Sequence, residues 1–265
     1  MTPNQIPIGI IGAGRIGKVH AENLAFRVPE ARALAITDLN RDAAQRVASR
    51  CGIPTVAASV DQILADPGIQ AVLICSSTDT HADLIVRAAQ AGKHIFCEKP
   101  IAHSLAKIDS ALAAVQQAGV KLQIGFNRRF DPNFARVRAA VTGGEIGTPR
   151  LLHIISRDPA PPPVSYVKVS GGIFLDMTIH DFDMARFLIG DEVEEMSTAW
   201  MAGSARIWSV EPAMLGMPQR EATRSAASRF RSVMARVRAS GTRKARFSAW
   251  TVPMRPAPMM PTFSR

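Results

Sequence analysis

The chain has 265 residues, 47% of them hydrophobic, with a mean hydropathy close to zero, which suits one large or two modest globular domains with a real core. No run of about 18 apolar residues occurs and no basic-then-apolar leader ends in small residues, so neither a membrane span nor a secretory signal is expected, and the expected compartment is cytoplasmic. Cys51, Cys75 and Cys97 lie 24 and 22 residues apart, which fits neither a disulfide framework nor paired metal ligands, and no metal is expected. The formal charge of +10 is confined to one end: residues 1–200 hold 20 basic and 20 acidic side chains, whereas residues 201–265 hold 12 basic ones against Glu211 and Glu221 alone.

In chain order, an apolar run over 6–11 predicts a buried strand, and the cluster Gly12-Ala13-Gly14-Arg15-Ile16-Gly17 follows it at once. Apolar positions at helical spacing through 15–26 predict a helix, and 31–37 reads as a second strand. The alternation continues with helix 41–50, strand 71–75, helix 79–91, strand 94–97, helix 104–118 and a last strand over 121–125, with Gly92 and Gly119 placed as helix ends. Strands and helices alternating at this length require parallel pairing and right-handed crossovers. The fold class is therefore α/β, an N-terminal doubly wound parallel sheet of the Rossmann type over 1–124. An incomplete α+β second domain over 125–200 follows: helix 131–141, strand 150–156, a Pro-rich loop over 158–170, helix 171–189 and the start of a strand at 193–199.

The glycine cluster follows a strand, opens a helix, and is answered by Asp38 at the end of the second strand, 21 residues after Gly17. In that setting Gly12 permits the tight turn, Gly14 lets the backbone approach a pyrophosphate, Gly17 lets helix and strand pack, and Arg15 and Ile16 start the helix whose N-terminus attracts the phosphates. Asp38 would accept from the adenosine ribose hydroxyls and repel a 2′-phosphate, which favours NAD over NADP. Ligands of such sheets lie beyond the carboxyl ends of the strands. Two segments fall there. In the first, Ser76, Thr78 and His81 are candidate cofactor contacts, with helix capping as the competing role. In the second, Glu98-Lys99-Pro100 places a lysine beside a glutamate at a strand's end, a costly position for a merely solubilising charge. Farther on, Asp176 and His180 are four apart in a predicted helix, so the carboxylate and the imidazole share a face and the acid can orient the ring.

The run from Gly9 to Gly17, then Glu98-Lys99-Pro100, then Gly125-Phe126-Asn127-Arg128-Arg129-Phe130-Asp131, and Gly171 through Asp183 together resemble the glucose-fructose oxidoreductase/inositol dehydrogenase (Gfo/Idh/MocA) family over about residues 5–200. Within it, bacterial inositol 2-dehydrogenases are the nearest likeness, through the segment Ser156-Arg157-Asp158-Pro159-Ala160-Pro161-Pro162-Pro163. The resemblance implies NAD-dependent oxidation of a secondary alcohol on a cyclitol or sugar, with myo-inositol as the first choice. It also implies a catalytic set of Lys99, Asp176 and His180. A base near neutral pKa must take the hydroxyl proton as hydride leaves, a part given to His180. Lys99 would stabilise the developing oxyanion, and Asp176 would tune the lysine or fix the histidine tautomer; the parts of Lys99 and His180 can be exchanged. Glu98 joins the expected cofactor contacts, and Asn127, Arg128, Asp158 and Lys168 are candidates for the polyol hydroxyls. A catalytically silent NAD-binding sensor is the alternative, since a fold can keep its cofactor and lose its reaction. Members of the family form homo-oligomers through a further sheet.

Residues 201–265 depart from that pattern. Only 9 of these 65 are Leu, Ile, Val or Phe, 11 are Arg, and neither Asp nor Asn occurs. That composition falls below what a packed core needs at this net charge. The sequence predicts a basic, disordered tail or one read in a shifted frame. A cationic helical face within 219–240 is a rival use, toward an anionic membrane or nucleic acid, but neither is the expected partner.

Overall fold

In the computed structural model the described residues are 5–156, 162–167, 170–191 and the pairs 199–200, 208–209 and 232–233. Strand β1 (Ile6–Ile11) runs into helix α1 (Arg15–Phe26), then β2 (Ala31–Thr37), α2 (Arg41–Cys51), β3 (Thr55–Val56), α3 (Val60–Ala65), β4 (Ala71–Ile74), α4 (Thr78–Gln90), β5 (His94–Cys97), α5 (Leu105–Ala118) and β6 (Leu122–Ile124). The six strands form one sheet in the order β3-β2-β1-β4-β5-β6, all parallel. This is the doubly wound sheet that the alternation demanded. The order reverses between β1 and β4, which fixes the crevice where such folds bind ligands. Between 50 and 71 no element was expected, yet β3 and α3 lie there.

Successive strand residues point to opposite faces, and the core divides accordingly. Ile10, Ile36 and Leu73 pack with Ala21 of α1 and Ala44, Val47 and Ala48 of α2 on one face. Ile11, Val72, Ile74, Ile95 and Cys97 pack with Leu84, Ile85 and Ala88 of α4, Ala111 and Val115 of α5, and Ile63 of α3 on the other. Each fully buried aliphatic side chain contributes about 1.5–3 kcal/mol. Helices stop where the backbone turns left-handed: Gly52 and Gly119 cap α2 and α5, and Gly92 follows α4.

The chain divides into two compact units, residues 1–127 with 162–179, and 128–161 with 180–265. The first unit adds to the sheet a short helix α7 (Val164–Val167) and a π-helical segment Phe174–Thr178. The second contains α6 (Pro132–Thr142), strand β7 (Ile154–Ile155) and nearly all of α8 (Ile179–Ile189). The helix expected from Gly171 begins later, because Gly171 and Gly172 both hold positive φ, +78° and +87°, which breaks helical continuity. Strand 150–156 shortens to two residues. Within 201–265, expected to lack structure, β9 (Trp208–Ser209) pairs with β8 (Ala199–Trp200), which lies at the end of the strand expected over 193–199, and β10 (Ser232–Val233) pairs antiparallel with β7. The remainder of that region lies outside the described residues. No helix among the described residues is long and apolar enough to cross a membrane.

Where β1 passes into α1, neither Gly12 nor Gly17 leaves room for a side chain. A Cβ on Gly17 would stand 2.1 Å from the Gly12 carbonyl oxygen. Gly17→Ala is therefore expected to cost about 1–3 kcal/mol through overpacking, read as a lowered urea midpoint; an unchanged midpoint would contradict this packing.

Candidate active site

The carboxyl ends of β1 and β2 meet at the glycine turn. Gly12 has φ +104°, and a Cβ there would lie 2.6 Å from the backbone of Cys75, so the turn passes directly over the end of β4. Gly12 N donates to Thr37 O at 2.8 Å. Asp38 locks the same place: Oδ2 accepts from Ala13 N at 2.6 Å and Oδ1 from Asn40 N at 2.7 Å. Each oxygen keeps a lone pair for a ribose hydroxyl. Gly14 is the N-cap of α1 and carries no side-chain cap, the first turn has no acidic residue, and a Cβ on Gly14 would meet nothing within 4 Å. The first N–H groups of α1 are thus uncapped and open to an anion. Arg15 and Ile16 flank them, Ile16 being 38% exposed. These residues fit the diphosphate and ribose of a dinucleotide. An open groove of about 510 Å³ lined by Leu24, Phe26, Val28, Arg32 and Cys51 lies at the amino end of β2, the wrong end of the sheet for such a ligand.

After β4, the hydroxyl of Thr80 donates to Ser77 O at 2.8 Å, so Ser76 Oγ is the donor in its 2.7 Å contact with Thr80. Thr78 opens α4. His81, expected among the cofactor contacts, is only 1% exposed. Its Nδ1 lies 2.8 Å from Pro100 O and its Nε2 3.0 Å from Ser76 O. Whichever nitrogen carries the proton, a carbonyl is there to accept it. Burial against α4's own core face turns the ring inward, and it holds the loops after β4 and β5 together. Glu98 is clamped in turn: His20 Nε2 lies 2.7 Å from Oε1, the His20 ring meets Phe96 edge-on at 5.2 Å, and Gly125 has no side chain because the carboxyl group lies 3.1 Å from where its Cβ would be. His20 was not foreseen. Its signal was its place beside Gly17, Ala21 and Leu24 on the inward stripe of α1.

The next residue reaches the other candidate. Lys99 Nζ donates to Asp176 O at 2.9 Å and to Asp176 Oδ1 at 3.2 Å, with both side chains about 15% exposed. Tyr166 Oη donates to the same Oδ1 at 2.8 Å; this residue, too, the sequence did not single out. Of the two parts open to Asp176, the geometry gives the contact with the lysine. A π turn, with its i→i+5 bonding, moves the four-residue spacing off the single face an α-helix provides. His180 is half-buried on α8, in the second unit. Asn127 is exposed at the end of the first unit. In the second unit Arg128, a candidate substrate contact, donates to buried Asp181 at 2.6 Å and to Ser156 Oγ at 3.3 Å. Arg129 forks onto Asp183, whose hydrogen bonds push the guanidinium above its usual range. Those ion pairs occupy the arginines within their own unit. Asp158 and Lys168 lie outside the described residues.

The model of the oxidoreductase family with an NAD-binding Rossmann fold matches residues 6–126, and that of the GFO/IDH/MocA C-terminal domain matches residues 134–247. The chain belongs to the GFO/IDH/MocA family. The match to the C-terminal domain continues past Trp200. Myo-inositol 2-dehydrogenase of Thermotoga maritima is 50% identical over 189 residues, 71% of this chain and 56% of that one. The NAD(+)-dependent scyllo-inositol 2-dehydrogenase of Bacillus subtilis is 42% identical over 194 residues, 73% of this chain and 57% of that one. Among solved structures, scyllo-inositol dehydrogenase of Lactobacillus casei with bound NAD(H) and scyllo-inositol is 29% identical, covers 89% of this chain and 71% of that one, and superposes with a TM-score of 0.68. The chain spans about 56% of the length of the curated relatives it matches. The cofactor of this GFO/IDH/MocA chain is NAD, in keeping with its Rossmann domain.

His81→Ala is expected to leave a buried carbonyl without its donor and cost about 2 kcal/mol of stability, with NAD affinity unchanged in the folded variant. Weakened NAD binding at full thermal stability would make His81 a direct contact instead.

Proposed function

We propose that this chain acts as an NAD-dependent dehydrogenase that oxidises a secondary alcohol of a cyclitol, with myo-inositol to 2-keto-myo-inositol as the first choice. The contact of Lys99 with Asp176 beyond the carboxyl end of β5 is the observation that carries the reading. Myo-inositol stands ahead of scyllo-inositol because the relative at 50% identity bears the first name and the one at 42% the second. NAD, held by Gly12, Gly14, Arg15, Ile16, Gly17 and Asp38, supplies the acceptor for hydride.

Oxidation of the alcohol removes a hydride from carbon and a proton from oxygen, leaving a carbonyl. The proton needs a base, and we assign that part to His180, four residues beyond Asp176 on the same chain run. As the proton leaves, negative charge grows on the oxygen, and the Lys99 ammonium opposes it. Two of its three N–H groups go to Asp176, which leaves one for the substrate. Asp176 holds the ammonium in place while offsetting its charge in a site with little water. Glu98 is fixed by His20 and Gly125, and we assign it, with Ser76 and Thr78, to the cofactor side. Asn127, Arg128, Asp158 and Lys168 are proposed partners of the remaining polyol hydroxyls, Arg128 on the condition that it shares its guanidinium with Asp181.

A turnover screen with NAD and a panel of inositols and sugars tests the proposal. The expected result is NADH formation with a cyclitol, and in Lys99→Ala a loss of kcat of at least about a hundredfold with NAD affinity preserved. Binding of NAD without turnover on any polyol would leave an NAD-binding sensor as the reading. Undiminished turnover in Lys99→Ala would remove the lysine from the mechanism.

A further inference from the structure

We propose that Tyr166 is a positioning residue for the Lys99–Asp176 pair, its phenol pinning Asp176 Oδ1 so that the lysine ammonium is shared between two oxygens of Asp176 and keeps one N–H for the substrate oxygen. For what the pair does, this rests on the dehydrogenase reading; for the contact itself, it rests on geometry alone.

Tyr166 is the single tyrosine of the chain, and it belongs to the same compact unit as Lys99 and Asp176. Its hydroxyl lies 2.8 Å from Oδ1, closer than the lysine at 3.2 Å on the same oxygen. An ammonium facing an unencumbered carboxylate is drawn onto it, because a charged donor and acceptor make the shortest and strongest contacts. Here the shorter lysine contact is to the backbone oxygen of Asp176, at 2.9 Å. The phenol takes up one direction on Oδ1 and holds the carboxyl rotamer, so the ammonium settles between backbone and side chain. Lys99 and Asp176 are 16% and 14% exposed, whereas Tyr166 is 45% exposed, so water can reach Oδ1 if the phenol is removed, but as a donor without the fixed position that the ring gives.

Both ends of the contact are held by local backbone. Asp176 N donates to Gly172 O at 3.0 Å, and Ser170 N donates to Tyr166 O at 3.0 Å. The phenol is also a durable donor. Burial first, then the hydrogen bond to Asp176 and its charge, push its pKa up to about 12, against a lowering influence from Arg15. At any pH near neutrality the proton stays on the tyrosine oxygen and points at the carboxylate.

Since there is one tyrosine, tyrosinate absorbance in the near ultraviolet reports Tyr166 alone. In the wild-type chain the phenol is expected to remain un-ionised at about pH 10, where an ordinary tyrosine is half ionised. In Asp176→Asn, which keeps the shape and removes the charge, the midpoint is expected to move down. Tyr166→Phe keeps the ring and deletes the donor; kcat for polyol oxidation is expected to fall about tenfold, with NAD affinity and the polyol KM near their wild-type values. An ordinary wild-type midpoint, one that Asp176→Asn leaves in place, or full kcat in Tyr166→Phe would each overturn the proposal. A wild-type chain that never turns over would refute the dehydrogenase reading instead, and the titration would still decide the contact.

Discussion

The end of β1 and the end of β4 approach so closely that nothing larger than hydrogen fits at Gly12, where the turn crosses them. A side chain at Gly12 would overlap the backbone of Cys75 within 2.6 Å, and one at Gly17 would overlap Gly12 itself. That packing draws the first turn of α1 down over the sheet at the switch point between β1 and β4. It also leaves Gly14 facing open space, with uncapped N–H groups behind it. An anion site follows from backbone geometry alone, with no charged residue required to make it.

The neighbouring loops are then tied to that turn by polar contacts. Asp38 accepts from Ala13, so the ribose-side carboxylate moves with the glycine turn. His20, on the helix that carries the turn, holds Glu98, and Glu98 is covalently next to Lys99. His81 spans the loops after β4 and β5 from beneath. The lysine thus stands at the end of a short chain of fixed groups that begins at the glycine turn. Tyr166 and Asp176 receive it at the other end. In the proposed function, cofactor and chemistry would be coupled through neighbouring loops of one compact unit.

Much of this was legible in the sequence where the signal is periodic or local. The βα alternation and the glycine turn with its answering Asp38 rest on spacing and context, whereas a contact of Lys99 with Asp176 was one of two parts that the family resemblance left open to the aspartate. The losses have physical causes. A two-residue strand such as β3 and a six-residue helix such as α3 are too short for hydrophobic periodicity to register. The helix around Asp176 was drawn too long because positive φ at Gly171 and Gly172, and the π turn after them, leave no mark in an apolar pattern. His20 finds Glu98 78 positions away, and Arg128 finds Asp181 53 positions away; such partners exist only once the chain has folded. His81 was expected among the cofactor contacts because a lone histidine in a first helical turn gives no hint that backbone carbonyls await it on the inner side.

The claim on which the account turns is that the open space at Gly14 is the seat of the cofactor's diphosphate. Titrating NADH into Gly14→Val, followed by fluorescence, tests it most directly, because a Cβ there meets nothing within 4 Å and the substitution should spare the fold. The expected result is an unchanged thermal melt of the free protein and loss of NADH binding. Wild-type affinity in the folded variant would mean that the dinucleotide, if it binds, sits elsewhere.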